Sequence, residues 1–225
     1  MKKNFTILDK NITIYKKDNV TDKVPLVIFN SFDDDGDTIW NLSKDICPAF
    51  VFAVISQINW DDEMSPWYCN PISQNDTPCT GGADKYLDKL INDIIPSIKE
   101  ESGEVTDVIL TGYSLSGLFA FYSCFKTDIF DKVVTCSGSF WYPKFIDYVK
   151  EHHFVRQPKS IYFSLGDKES LSKNKIDAVV GDNTKWLESY CHSLGIKTIY
   201  EENTGGHFKQ PNERMVKGIK WILDN

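Results

Sequence analysis

The sequence predicts an α/β fold: a three-layer sandwich whose mostly parallel central sheet carries helices on both faces and opens with an antiparallel hairpin. Three observations lead there. Short β-rich runs alternate with helical ones along most of the chain. Several of those runs are apolar almost throughout, as strands buried on both faces are. The chain is also long enough, at 225 residues with 41% hydrophobic content, to close one sizeable core, so residues 1–225 are expected to form a single domain.

Taken in order, "NFTILD" (4–9) and "NITIYKK" (11–17) alternate apolar and polar residues and read as the opening hairpin. The buried strand candidates follow: "VPLVIFN" (24–30), "FVFAVIS" (50–56), "VTDVILTG" (105–112), "KVVTCSG" (132–138), "SIYFSLG" (160–166) and "KTIYEEN" (197–203). Most are separated by helical segments. In "DKYLDKLINDIIPSI" (84–98), Tyr86, Leu87, Leu90, Ile91, Ile94 and Ile95 share one stripe, and "NERMVKGIKWIL" (212–223) ends the chain in the same manner. Only 57–82 lacks periodicity. It is rich in Trp, Pro, Asn and Asp, and irregular stretches of that length usually carry function or are disordered.

Bulk properties exclude several classes of function. The net charge of −7 and the scatter of Lys2, Lys3, Lys16 and Lys17 leave no basic stripe for a phosphate backbone, so no nucleic-acid partner is expected. The longest apolar run, "PAFVFAVI" (48–55), is too short to span a bilayer, so no membrane association is expected. "MKKNFTILDKNITIYKK" lacks the apolar segment and cleavage site of a secretory signal, which predicts a cytoplasmic protein. The six cysteines show no C-x-x-C spacing, and only Cys69 and Cys79 share a polar loop in which they could pair. Asp33, Asp34, Asp35 and Asp37 lack the fixed spacing and terminal Glu of a calcium loop and read as a solvated turn; no metal and no cofactor is expected.

The chemistry concentrates at "TGYSLSG" (111–117). Ser114 follows a buried strand and precedes the apolar helix "LSGLFAFYSCF", so the chain reverses at the carboxyl end of a central strand, where open α/β sheets place their sites. In a G-x-S-x-G elbow the residues two before and two after the serine crowd together and must be small. Gly112 meets that demand; Ser116 stands where a second glycine is expected. The order of the remaining candidates follows the nucleophile–acid–histidine sequence of this topology. "GDKE" places Asp167 and Glu169 after one late strand, and "TGGHF" places His207 in a loop before the last helix. Asp167 is preferred as the acid because it lies nearest the strand end, with Glu169 as its rival. Asp182, in "VVGDNTKW", reads as a helix N-cap. His152, His153 and His192 read as surface or packing residues.

Through "VIFNSFDDDGDTIW", "SPWYC", "GYSLSG", "GSFWYPKF", "SLGDKE" and "GGHF", the chain resembles the α/β-hydrolase esterases related to enterochelin esterase over almost its whole length. The resemblance implies a Ser–acid–His triad of Ser114, Asp167 or Glu169, and His207, acting on a small or medium carboxylic ester. Backbone N–H groups of Leu115 and Phe32 are the expected oxyanion donors. Trp60, Trp67, Tyr68, Trp141 and Tyr142 are expected to shape the substrate pocket. An acyltransferase or thioesterase on the same triad, and a non-catalytic binding protein on a hydrolase scaffold, are the other readings.

Overall fold

The computed structural model of the chain describes residues 1–18, 20, 22–33, 35–72, 77–171, 174 and 176–225. Of the aspartate run, Asp34 lies outside the described residues. The strands are β1 (Lys2–Ile7), β2 (Lys10–Tyr15), β3 (Val24–Asn30), β4 (Val51–Ser56), β5 (Tyr68–Cys69), β6 (Cys79–Thr80), β7 (Val105–Tyr113), β8 (Lys132–Cys136), β9 (Ser160–Gly166) and β10 (Lys197–Asn203). Eight of them form one sheet in the order β1-β2-β4-β3-β7-β8-β9-β10. β1 pairs antiparallel with β2, and β2 antiparallel with β4. From β4 onward every pairing is parallel. The hairpin and the mixed sheet therefore match the sequence expectation.

Helices cover both faces because both faces of the central strands are apolar. On one side α3 (Ala83–Lys89), α4 (Ile95–Ser102), α5 (Leu115–Ser123), α6 (Phe145–Glu151) and α7 (Val180–Ser193) bury Tyr86, Ile98, Leu118, Phe119, Phe145 and Leu187 against the sheet. On the other, α1 (Gly36–Ser43) and α8 (Pro211–Asp224) bury Ile39, Met215, Ile219 and Ile222. A π-helical segment, Leu90–Ile94, joins α3 to α4.

Asp182 lies in the first turn of α7 rather than at its cap, because the helix starts earlier, at Val180; there its charge opposes the positive end of the helix dipole. Within 57–82 the chain forms the short helix α2 (Trp60–Glu63) and the β5–β6 ribbon, in which Cys69 lies opposite Cys79. All six cysteines are buried, and none is joined in a disulfide. The stretch is anchored from the hairpin: buried Lys10 Nζ lies 2.9 Å from Glu63 Oε2 and donates to the Gln57 carbonyl, while Glu63 Oε2 also accepts the Asn59 N–H. This ion pair ties α2, the helix that begins at Trp60, to the hairpin. No helix among the described residues is long and apolar enough to cross a membrane.

Candidate active site

β7 ends at Tyr113 and α5 begins at Leu115, so Ser114 makes the whole reversal alone. It does so at φ 59° and ψ −125°, a conformation that non-glycine residues rarely adopt. The turn is held on both sides, with Ser114 N–H donating to the Cys136 carbonyl at 3.1 Å and Ser139 N–H donating to the Ser114 carbonyl at 3.1 Å. Crowding at the elbow is severe: a Cβ on Gly112 would lie 2.1 Å from the Ser116 carbonyl oxygen. Ser116 fits the position expected for glycine because its hydroxyl turns back on the elbow. It accepts the Tyr113 N–H and donates to the Tyr113 carbonyl, both at 2.9 Å, leaving no polar atom of this side chain unpaired in a fully buried place.

The contact at Gly112 is to backbone and cannot be relieved by a rotamer change. Gly112→Ala is expected to destabilise the fold by about 3 kcal/mol or more, the upper range of overpacking costs. Thermal unfolding checks this; a melting temperature equal to that of the parent protein would contradict the elbow geometry.

Two parallel neighbours carry the partners of Ser114. The loops that follow β9 and β10 continue side by side, joined by Asp167 N–H to the Asn203 carbonyl at 2.7 Å and Lys168 N–H to the Gly205 carbonyl at 3.2 Å. His207, on the second loop, points its Nε2 at Ser114 Oγ at 3.1 Å, and its Nδ1 lies 2.8 Å from Glu169 Oε2. Ser139 Oγ is 3.3 Å from the same Ser114 oxygen.

The carboxylate facing His207 is that of Glu169, which corrects the preference for Asp167. Asp167 is exposed and its Oδ1 accepts the Gly205 N–H at 2.7 Å, so it ties the two loops together from the outside. After Lys168 the chain turns into a 3-10 segment, Glu169–Leu171, which carries Glu169 back under the imidazole. Its Oε1 accepts the Gly166 N–H at 2.7 Å and the Ser137 hydroxyl at 2.7 Å, and lies 2.9 Å from Arg214 Nη1. Burial pushes the Glu169 carboxyl up, but the hydrogen bond and charge of His207, with Ser137 and the Gly166 N–H, outweigh it and hold the group below its ordinary value. Glu169 is thus ionised at neutral pH. Its stabilising contribution is present above the ordinary carboxylate range and is lost as pH falls through the depressed value.

Arg214 and Tyr113, which the sequence reading passed over, complete the cluster. Tyr113 donates its phenol to the His207 carbonyl, and burial pushes that phenol up to about 12, so it remains a donor at neutral pH. Arg214 Nη2 donates to the Gly206 carbonyl at 3.0 Å, next to His207 in the chain.

Two cavities meet at Ser114 and His207. One, of about 520 Å³, is lined by Trp60, Trp141, Leu115 and Lys168, among others; the second, about 570 Å³, by Phe32, Asp33, Asp35 and Met215. Trp60 and Phe208 line both, and Phe208 is 91% exposed. Of the five aromatic residues expected at the pocket, Trp60 and Trp141 are there. Trp67, Tyr68 and Tyr142 are not, because other contacts use them. Trp67 packs against Tyr122, Tyr142, Phe145 and Tyr148 and donates Nε1 to the Pro143 carbonyl; Tyr142 is buried beneath it. Tyr68 points to solvent, its hydroxyl on Asn70.

Both expected oxyanion donors border the site. Leu115 opens α5 and lines the first cavity, and Phe32, 70% exposed, follows β3 and lines the second. Two of the aspartates make protein contacts: Asp37, in the first turn of α1, pairs with Lys2, and Asp35 accepts from Asn212 Nδ2 at 3.3 Å. His152, His153 and His192 lie exposed, away from these cavities.

No family model matches the chain. The uncharacterized protein YbbA of Bacillus subtilis (strain 168) is 24% identical over 184 residues, covering 78% of this chain and 74% of that protein. Among solved structures, an IroE-like serine hydrolase from Shewanella oneidensis superposes over 100% of this chain and 80% of its own, with a TM-score of 0.81 at 17% identity. The chain has the α/β-hydrolase fold. The siderophore hydrolase EstA from Aspergillus nidulans shares that fold with a TM-score of 0.79 at 16% identity, over 100% of this chain and 94% of its own. The enterobactin esterase FES from Shigella flexneri gives 0.67 at 15% identity; it matches 99% of this chain, which spans 59% of that larger protein. Ser114 occupies the strand-to-helix turn that follows the central strand β7.

Proposed function

We propose that the protein is a carboxylic ester hydrolase working through Ser114, His207 and Glu169. The observation that carries this reading is the unbroken line of contacts from Ser114 Oγ to His207 Nε2, 3.1 Å, and from His207 Nδ1 to Glu169 Oε2, 2.8 Å, beginning at a serine on a strained turn. His207 takes the serine proton as Oγ attacks the ester carbonyl, forming a tetrahedral oxyanion. The N–H groups of Leu115 and Phe32 receive that charge. His207 then gives its proton to the leaving alcohol, and the acyl group stays on Ser114. A water, deprotonated by His207, attacks the acyl-enzyme by the same route and releases the acid. Glu169 keeps Nδ1 protonated and stabilises the imidazolium without taking its proton.

The cavity favours a flat, partly polar substrate. The indoles of Trp60 and Trp141 and the exposed ring of Phe208 supply stacking surface beside Ser114, while Asp61, Asn70 and Lys168 supply polar contacts. Esters of aromatic acids suit that lining. The fold shared with a siderophore hydrolase and an enterobactin esterase makes siderophore esters the first natural substrates to try. A reducing, cytoplasmic setting agrees with six buried cysteines outside any disulfide.

A panel of activated esters differing in acyl group tests this. A benzoyl ester is expected to exceed an acetyl ester in kcat/KM, and Trp60→Ala is expected to lower that ratio about ten-fold, the scale of a lost apolar pocket contact. No hydrolysis of any ester in the panel would contradict the proposed activity.

A further inference from the structure

We propose that Arg214 is a positioning residue that, with Ser137, fixes which oxygen of Glu169 meets His207. The proposal rests on the reading of Ser114, His207 and Glu169 as the acyl-transfer centre.

Arg214 lies on the second turn of α8 and is only 2% exposed, a costly place for a permanent charge unless it is well paired. Among the described residues its side-chain hydrogen bonds all fall on the site. Nη1 reaches Glu169 Oε1 at 2.9 Å, Ser137 Oγ at 3.0 Å and the Tyr113 hydroxyl at 3.3 Å, and Nη2 reaches the Gly206 carbonyl at 3.0 Å. One guanidinium therefore touches the acid, the residue before the nucleophile and the residue before the base. It holds them as a rigid fork, which a lysine point charge does not reproduce.

The consequence lies in how the two carboxylate oxygens are used. Oε1 takes the Gly166 N–H, the Ser137 hydroxyl and the guanidinium, which fills its acceptor capacity; Oε2 is turned to Nδ1 of His207. Rotation of the carboxylate would break three bonds at once. Space for this arrangement comes from the glycine that ends β9, since a Cβ on Gly166 would lie 2.8 Å from Arg214 Nη2 and 2.9 Å from Glu169 Oε1. Arg214 lines neither cavity at Ser114, so it acts on the reaction through Glu169 and the His207 loop rather than on substrate.

A double-mutant cycle tests this on one activated ester, with thermal unfolding of each variant measured alongside. Arg214→Lys is expected to lower kcat about 10- to 100-fold, the scale on which outer partners act on metal-site ligands, and to leave KM within about two-fold, because ground-state binding does not involve Arg214. Ser137→Ala, which leaves the buried charges balanced, is expected to lower kcat several-fold. Placed on Glu169→Gln, neither substitution is expected to lower kcat further, since the group through which it acts is already disabled. Effects that multiply in the double variants would overturn the proposal, as would an unchanged kcat in either Arg214→Lys or Ser137→Ala. If Arg214→Lys does not fold, the Ser137→Ala arm decides by the same criteria. A Glu169→Gln variant with full activity would instead remove the acid assignment beneath the proposal, a result distinguishable from either.

Discussion

Glu169→Gln lowers turnover on the order of 10⁴-fold while Asp167→Asn leaves it within a few-fold, the reverse of what distance from the strand end suggests. The first effect follows from tautomer control. A glutamine amide that keeps its bonds to Arg214 and Ser137 through its oxygen presents an N–H₂ to His207 Nδ1, which must then be the unprotonated nitrogen, so Nε2 carries the proton and cannot accept one from Ser114. The second effect is small because Asp167 is exposed and faces the backbone of Gly205, not the imidazole. Asparagine retains an oxygen for that N–H, and the loss expected is within about 1 kcal/mol of stability. Steady-state kinetics on one ester measures both variants; equal losses, or the larger loss at Asp167, would contradict the acid assignment.

Ser114→Ala is expected to remove hydrolysis down to the residual rate that binding and oxyanion contacts alone support, a fall of about 10⁶-fold by comparison with serine hydrolases stripped of their nucleophile. Stability should not fall. Alanine relieves no strain at φ 59°, since any Cβ meets the same clash, yet the two hydrogen bonds that hold the turn are made by Ser114 N–H and its carbonyl and survive the change. Retention of the parent melting temperature separates loss of chemistry from loss of fold. Parent-level activity in the alanine variant would exclude the elbow as the reacting centre.

The sheet was legible because its strands announce themselves twice, by apolar runs and by their boundaries. β3, β9 and β10 occupy the residues expected, each ending in a residue that leads into a loop of the site: Asn30, Gly166 and Asn203. Ser114 and His207 were legible for the same reason, since each sits at a fixed offset from a strand or helix that the hydrophobic pattern locates. The acid was not. Nearness to the strand end favours Asp167 only while the chain stays extended; it curls into a 3-10 turn at Glu169, and period-two reasoning fails once the strand ends.

Arg214 was hidden for a different reason. In "NERMVKGIKWIL" a charged residue beside Met215 reads as the solvent side of an amphipathic helix, and nothing local distinguishes a buried, paired arginine from an exposed one. The aromatic residues divided along similar lines. Trp67 lies far in sequence from the Tyr142, Phe145 and Tyr148 rings that surround it, and only the tertiary fold brings that cluster together and removes it from the pocket. Trp60, which does line the cavities, opens α2, the helix that ends at Glu63 and is tied through it to buried Lys10 of the hairpin.

The central claim, that Ser114 is a nucleophile activated by His207, is tested most directly by fluorophosphonate labelling followed by peptide mass spectrometry. The arrangement predicts one adduct per chain, on the peptide containing Ser114, formed rapidly in the parent protein and only very slowly in His207→Ala. No adduct, an adduct on another residue, or labelling of Ser114 at the same rate without His207 would contradict it.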